Sequence, residues 1–140
     1  MDYMKSFPPL STFVMVGRTR QYTISFLRQY VVVSDVGRTW EDAEAYCNLA
    51  NVTSPEEGEK VKALLQRDGV EQAWFGLHRD SWVWTDGSAT SYTSWLAGQP
   101  NNAGGSQGCV YMEKEKWNDF PCTDQYYVLC QSKATLCKNA

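Results

Sequence analysis

The apolar and polar positions in the first part of the chain predict strands followed by a helix. Residues 1–20 predict an irregular arm or an early strand. The next stretch, 21–33, is rich in Tyr, Ile, Phe and Val and predicts one or two β-strands. A turn is predicted at Gly37-Arg38, after which Thr39 can cap a helix. Three residues share one face of that helix and are expected to point to the core: Trp40, Ala43 and Cys47.

A second helix has the clearer start signal. The run Ser54-Pro55-Glu56-Glu57 offers a capping Ser, a Pro at the first helical position and a Glu three residues after the cap. The apolar stripe behind this start, which predicts the buried face of the helix, consists of Val61, Leu64 and Leu65.

After Gly69 the pattern becomes that of strands separated by turns. Short apolar runs at 73–77 and 82–84 predict two strands, whereas 98–108 is built of Gly, Asn, Gln, Ser and Pro and is too polar for a core. Two further strands are predicted at 109–112 and 126–130. Strands, two helices and then strands indicate an α+β domain.

Length and charge narrow the class of protein. At 140 residues the chain predicts one domain, 21–131, with an N-terminal arm, 1–20, and a C-terminal tail, 132–140. The net charge of −3, without a block of basic residues, argues against nucleic acid or an anionic membrane as the partner. No apolar run approaches the roughly 20 residues needed to span a bilayer. Two origins of the arm stay open, namely a leader interrupted by Pro8-Pro9 and a trimmed N-terminus with an added Met.

The five cysteines predict disulfides rather than a metal site. Their spacings contain no CxxC, and the single histidine, His78, is far from them in sequence, so a zinc site fits poorly. Two disulfides with one leftover cysteine indicate an oxidising, secreted or cell-surface environment. An enzyme is disfavoured as well, because the chain offers no Ser-His-Asp arrangement and no convincing pair of carboxylates.

Four short segments carry a family likeness: Trp74-Phe75-Gly76-Leu77, Trp82-x-Trp-Thr-Asp-Gly-Ser, Trp95-x-x-Gly-Gln-Pro-Asn and Trp117-Asn118-Asp119. In the order and spacing of these segments the chain resembles the short form of the C-type lectin-like domain, over roughly residues 21–131. The resemblance implies two helices packed on antiparallel sheets and a long irregular loop region stapled by disulfides. The pairs it implies are Cys47–Cys130 and Cys109–Cys122, which leaves Cys137 unpaired in the tail.

The resemblance also implies a Ca²⁺ site in the long loop, with Pro100 in cis. The implied ligands are Gln99, Asn101, Gln107, Asn118 and Asp119, and a glycan would contact Gln99, Asn101, Asn118 and Asp119 through two vicinal hydroxyls. Only Asp119 is charged, so a weak site with a Kd of about 10⁻⁴–10⁻³ M is expected. Mannose-type members carry Glu-Pro-Asn and galactose-type members Gln-Pro-Asp, so the mixed Gln99-Pro100-Asn101 leaves the sugar preference open.

Other interpretations of the loop stay open. The same face could bind a cell-surface protein or another surface ligand without calcium. Asn118 and Asp119 could also simply cap a turn after Trp117. The likeness admits ice binding too, for which no residue of this chain argues.

Two further features concern covalent modification. Asn51-Val52-Thr53 is an N-glycosylation sequon, and Asn51 is expected to point outward between the core positions Leu49 and Val52. Cys137 could form an intermolecular disulfide and so link two copies of the chain.

Overall fold

The structure, a computed structural model, describes residues 28–79 and 81–133 together with two short strands that precede them. These are β1 (Phe13–Val16) and β2 (Gln21–Ile24), which pair with each other in a separate sheet. The other strands are β3 (Arg28–Arg38), β4 (Gln72–His78), β5 (Val83–Trp84), β6 (Cys109–Glu113), β7 (Lys116–Phe120) and β8 (Tyr126–Lys133). The helices are α1 (Trp40–Tyr46) and α2 (Pro55–Asp68), and a 3₁₀ turn spans Ala103–Gly105. Most of the predicted arm, and Cys137 in the tail, lie outside the described residues.

The six strands from β3 to β8 form one sheet. Its order is β3-β8-β4-β6-β7, and β5 pairs with β4. The pairs are antiparallel except for β4 and β8, which run parallel where Ala73 meets Tyr127 and Trp74 meets Val128. The α+β prediction is confirmed, and the sheet is mixed rather than wholly antiparallel.

The turn predicted at Gly37-Arg38 is wrong, because β3 continues through both residues. After an irregularity in the pairing that follows Val33, Arg38 regains a partner in Tyr126 of β8. The chain then enters α1 directly through Thr39. Backbone pairing with a distant strand therefore prevails over the local turn preference of glycine.

Both helices begin where the sequence predicts. Thr39 caps α1 by accepting from the N–H of Asp42, and Ser54 caps α2 by accepting from the N–H of Glu57 at 3.1 Å. Glu57 does not complete the capping box, since its carboxylate accepts from the N–H of Thr53 at 2.8 Å instead of that of Ser54. Helix α2 ends at Gly69, which has a φ of 67°.

Two apolar clusters fill the space on the two faces of the sheet. Because side chains alternate along a strand, β4 sends Phe75 and Leu77 into one cluster and Trp74 into the other. The first cluster includes Val61 and Leu65 of α2, as predicted. Gly76 is required between these side chains, because a Cβ there would lie 3.0 Å from the carbonyl oxygen of Ala50.

Both disulfides have the pairing that the resemblance implies. Cys47–Cys130 joins the end of α1 to β8, and Cys109–Cys122 joins the start of β6 to the segment after β7. Their sequence separations are 83 and 13 residues. In the chain-entropy account such loops stabilise the fold by about 4–5 and about 3 kcal/mol, respectively.

Candidate functional site in the long loop

The long loop connects β5 to β6 and lies along the outer edge of β7. Trp95 forms a parallel bridge with Trp117, the N–H of Leu96 donates to the carbonyl of Trp117 at 2.8 Å, and the N–H of Trp117 donates to the carbonyl of Ser94 at 2.9 Å. The ring of Trp95 packs edge-on against that of Trp117, at 5.5 Å between centroids. These contacts fix the base of the loop to the sheet.

Asp119 lies beneath the next part of this loop. Its side chain is fully buried, and its Oδ2 accepts from the N–H of Asn102 at 2.7 Å while Oδ1 accepts from the N–H of Asn101 at 3.2 Å. An ionised carboxylate is a strong acceptor, so these bonds hold the loop backbone against β7. In the part of the chain that the structure describes, Asp119 is thus the anchor of the loop.

The loop tip closes on itself through amide side chains. Oε1 of Gln107 and Oδ1 of Asn101 both accept from the N–H of Ala103, at 2.9 and 3.1 Å. Oδ1 of Asn102 accepts from the N–H of Gln107 at 3.0 Å. The Gln99-Pro100 peptide bond is cis, as the resemblance implies. Two of the four amides that were predicted as metal ligands, Asn101 and Gln107, therefore pair with a backbone donor of the loop.

Asn118 is oriented away from this group. Its Nδ2 donates to the hydroxyl of Tyr111 at 2.9 Å, on the opposite face of β7 from Asp119. Burial raises the pKa of Tyr111, and the bond from Asn118 opposes that shift. The structure therefore brings Gln107, Asn101 and Asp119 into one network and places Asn118 in another.

Gln99 differs from the other predicted ligands. Its side chain is half-buried, and its Oε1 is enclosed without a hydrogen-bond donor within the described residues. An enclosed carbonyl oxygen without a donor is unfavourable, so this atom is the clearest vacant acceptor in the loop.

This arrangement does not fit a calcium ion. Calcium binds six to eight oxygens and favours carboxylates, whereas the loop offers a single carboxylate and its oxygens accept backbone N–H groups. Among residues 28–79 and 81–133, no group of three or more His, Cys, Asp or Glu side chains could hold a metal. The calcium site therefore stays a prediction that requires the loop to rearrange.

The expectation that Asn51 points outward is wrong. Asn51 is 1% exposed, its Nδ2 donates to Oδ2 of Asp86 at 3.1 Å, and its N–H donates to Oε1 of Gln131 at 2.7 Å. The segment is covered on both sides because Ala50 bonds to Leu129 on one side and to Gly76 on the other. The expectation assumed that side chains alternate between the core and solvent, and this segment has no face open to solvent.

The fold and the two disulfides define a small, stapled α+β domain. The family model of the lectin C-type domain matches residues 36–132. A C-type lectin mannose-binding isoform from Notechis scutatus scutatus is 33% identical over 123 residues, covering 74% of this chain and 76% of the relative. The chain belongs to the C-type lectin family.

Solved structures agree with this assignment. Human lithostathine aligns with a TM-score of 0.71 and 30% identity, covering 80% of this chain and 88% of that one. The carbohydrate-recognition domain of cow CD23, solved in the presence of a GlcNAc2Man3 oligosaccharide, aligns with a TM-score of 0.69 and 25% identity, covering 90% and 96%. No helix within the described residues is both long and apolar enough to cross a membrane.

Proposed function

We propose that this protein is an extracellular glycan-binding lectin whose long-loop face recognises its ligand without a tightly bound calcium ion. The observation that carries this proposal is the pairing of the buried Asp119 carboxylate with the N–H groups of Asn101 and Asn102. In this arrangement the protein itself supplies the hydrogen-bond donors that order the loop. The ligand face is then ready without a metal, and Gln99 and Asn101 offer polar groups to sugar hydroxyls.

A second candidate is a calcium-bridged glycan site, in which Gln99, Asn101, Gln107, Asn118 and Asp119 hold a weak Ca²⁺. The enclosed Oε1 of Gln99, which lacks a donor, favours it. The ion would supply a positive charge that binds two vicinal hydroxyls of a sugar. Loading would require Asp119 to exchange its backbone bonds for the metal, and Asn118 to leave Tyr111 and turn toward the loop.

Binding to a glycan array, in millimolar calcium and in EDTA, tests both candidates. Retention in EDTA that is lost in Asn101→Ala, but kept in the matched surface variant Asp124→Ala, supports the first. Retention in calcium alone supports the second. A calcium ion with a Kd of about 1 mM would also raise the unfolding free energy by about 1.4 kcal/mol at about 10 mM. Absence of retention on mannose, galactose and the rest of the array contradicts glycan binding altogether.

Location and assembly complete the proposal. The two disulfides support a secreted or ectodomain location, because such bonds persist in oxidising compartments.

A cell-surface protein as ligand is the alternative to a glycan on the same face. The disulfide-linked dimer through Cys137 stays a prediction, since that residue lies outside the described part of the chain; two linked sites would multiply a weak affinity.

A further inference from the structure

A groove lies at the start of β4 and β8, at the end of β4 that is remote from the long loop. Its volume is about 460 Å³, and it is lined mainly by Gly69, Glu71, Gln72, Gln125, Tyr126 and Tyr127. The long loop meets the other end of β4, where the N–H of Arg79 donates to the carbonyl of Gly108. A strand of seven residues separates the two regions by about 20 Å. The groove is therefore distinct from the proposed glycan face.

The side chains of this groove suit a cationic ligand. Tyr127 lines the groove and, at 37% exposure, is among the exposed large hydrophobic residues. Glu71 and Gln125 are also exposed. Among the described residues that line the groove none is cationic. An aromatic face beside a carboxylate attracts an ammonium or guanidinium group both by the ring quadrupole and by charge.

The surroundings add negative charge. A second cavity of about 410 Å³ shares Gly69, Val70 and Glu71 with the groove and is lined on its far side by Glu113 and Lys114. Oε1 of Glu113 accepts from Nε2 of Gln72, a groove residue, at 3.3 Å, which places a second carboxylate next to the groove. Within the second cavity, Lys114 is the cation that would compete with a ligand.

Arg38 does not fill the groove, although its neighbour Gly37 is one of the residues that line it. Its Nη1 pairs with Oδ1 of Asp35 at 2.9 Å, and its guanidinium stacks over the ring of Tyr46 at 4.0 Å. Both contacts engage it elsewhere on the surface. The Arg38–Tyr46 pair also shows, on this chain, the stacking that a ligand guanidinium would make with Tyr127.

We propose that this groove binds an arginine or lysine side chain of a basic protein segment, with Tyr127 stacking on the cation and Glu71 pairing with it. Its volume falls within the range of about 300–1,000 Å³ that is usual for ligand sites, and an acidic groove is complementary to a basic partner. This binding site is independent of the long loop. The protein would then hold a glycan at one end of β4 and a basic protein segment at the other.

The test uses the full chain, ¹⁵N-labelled, titrated with an acetylated and amidated peptide of alternating Gly and Arg. A matched peptide in which citrulline replaces arginine removes the charge and keeps the shape. We expect the arginine peptide to shift the amide signals of 69–72 and 125–127 and to leave those of 99–107 unchanged. Glu71→Gln and Tyr127→Ala should each weaken binding about 2- to 5-fold, the range of an exposed ion pair or cation–π contact.

A control variant lies outside the groove. Glu56→Gln removes an exposed carboxylate from α2 and should bind like the wild type. Equal shifts with the citrulline peptide, or shifts that lie outside the groove, would overturn the proposal. The proposal would also be overturned if mannose, and not the peptide, shifted the amide signals of the groove. Unchanged peptide affinity in Glu71→Gln would overturn it too, because this substitution at an exposed site removes the charge and keeps the side-chain shape. None of these results bears on the long-loop face, which the glycan array tests separately.

Discussion

The buried carboxylate of Asp119 accepts a hydrogen bond from the backbone N–H of Asn102 at 2.7 Å. Asp119 belongs to β7, and Asn102 precedes the 3₁₀ turn at the tip of the long loop. The bond therefore connects the rigid sheet to the part of the molecule that is proposed to meet the ligand. It makes the attachment of the loop tip to the sheet depend on the Asp119 side chain.

Asp119→Ala should destabilise the protein by about 2–4 kcal/mol, because two hydrogen bonds to a charged acceptor are lost. Urea unfolding in EDTA measures this change. Limited proteolysis should show faster cleavage within residues 99–107, since the loop loses its attachment to β7. Asp124→Ala, which removes an exposed carboxylate after the same strand, is the control and should change stability by less than about 0.5 kcal/mol. If the addition of EDTA lowered the stability of the wild type by a similar amount of about 2–4 kcal/mol, a bound metal, and not the hydrogen bonds of Asp119, would be what holds the loop.

Asn51 should carry no glycan in the folded protein. Its side chain is 1% exposed and bonded to Asp86, so an attached sugar could not be accommodated without opening the core. Expression in a glycosylating secretory host, followed by intact mass measurement before and after enzymatic removal of N-glycans, tests this. The expected result is an unchanged mass for the soluble protein. A soluble, natively melting species that loses a glycan mass would contradict the burial of Asn51.

Features with a local cause could be predicted from the sequence. Thr39 caps α1 and Ser54 caps α2 because capping depends on residues within one turn. The cysteine pairing and the cis bond at Pro100 followed from the resemblance rather than from local physics. All of these are confirmed by the structure.

Features with a distant cause could not be predicted. Gly37-Arg38 continues a strand because Tyr126 pairs with Arg38, and Asn51 is enclosed because β8 and Gly76 lie on either side of it. Asn118 faces Tyr111 because the register of β6 and β7 places those residues opposite each other. The spacing of these residues along the sequence does not predict which strands pair or in which register. The groove at Tyr127 could not be predicted either, because segments that are far apart in the sequence form it.

Stability should fall as the pH rises above about 10. Burial, reinforced by the negative charge of Glu57, raises the pKa of Tyr30, and burial also raises those of Tyr111 and Tyr126. Above about pH 10 the unfolded chain therefore releases protons that the folded protein retains, which favours unfolding by up to about 1.4 kcal/mol per pH unit for each tyrosine.

Urea unfolding between about pH 8 and about pH 11 measures this slope, with free thiols alkylated to prevent disulfide exchange. Tyr30→Phe should reduce the slope by up to about 1.4 kcal/mol per pH unit. It should also lower stability at neutral pH, because the hydroxyl of Tyr30 donates to the carbonyl of Asn51 at 2.6 Å. A Tyr30→Phe variant with the wild-type slope would show that Tyr30 is not the group that titrates.

Two adjacent glutamates at the start of α2 offer a matched comparison, because both lie in the first turn but only Glu57 is enclosed. Glu57 pairs with Nη1 of Arg28 at 2.9 Å, with side-chain exposures of 12% for Glu57 and 19% for Arg28, and it accepts from the N–H of Thr53 at 2.8 Å. Both glutamates interact favourably with the helix dipole, so their difference isolates these contacts. Glu57→Ala should lower the unfolding free energy by about 2–3 kcal/mol, because it leaves the half-buried guanidinium of Arg28 without its carboxylate partner and the N–H of Thr53 without its acceptor.

Glu56→Ala, which removes an exposed carboxylate, should lower the unfolding free energy by less than about 1 kcal/mol. Urea unfolding of both variants at neutral pH and moderate salt makes the comparison, and the double variant Arg28→Met/Glu57→Ala separates charge from packing. If the unpaired guanidinium causes the loss, removing it restores part of the stability that Glu57→Ala alone takes away. Equal losses in Glu56→Ala and Glu57→Ala would mean that the helix dipole, and not the link between β3 and α2, accounts for the effect.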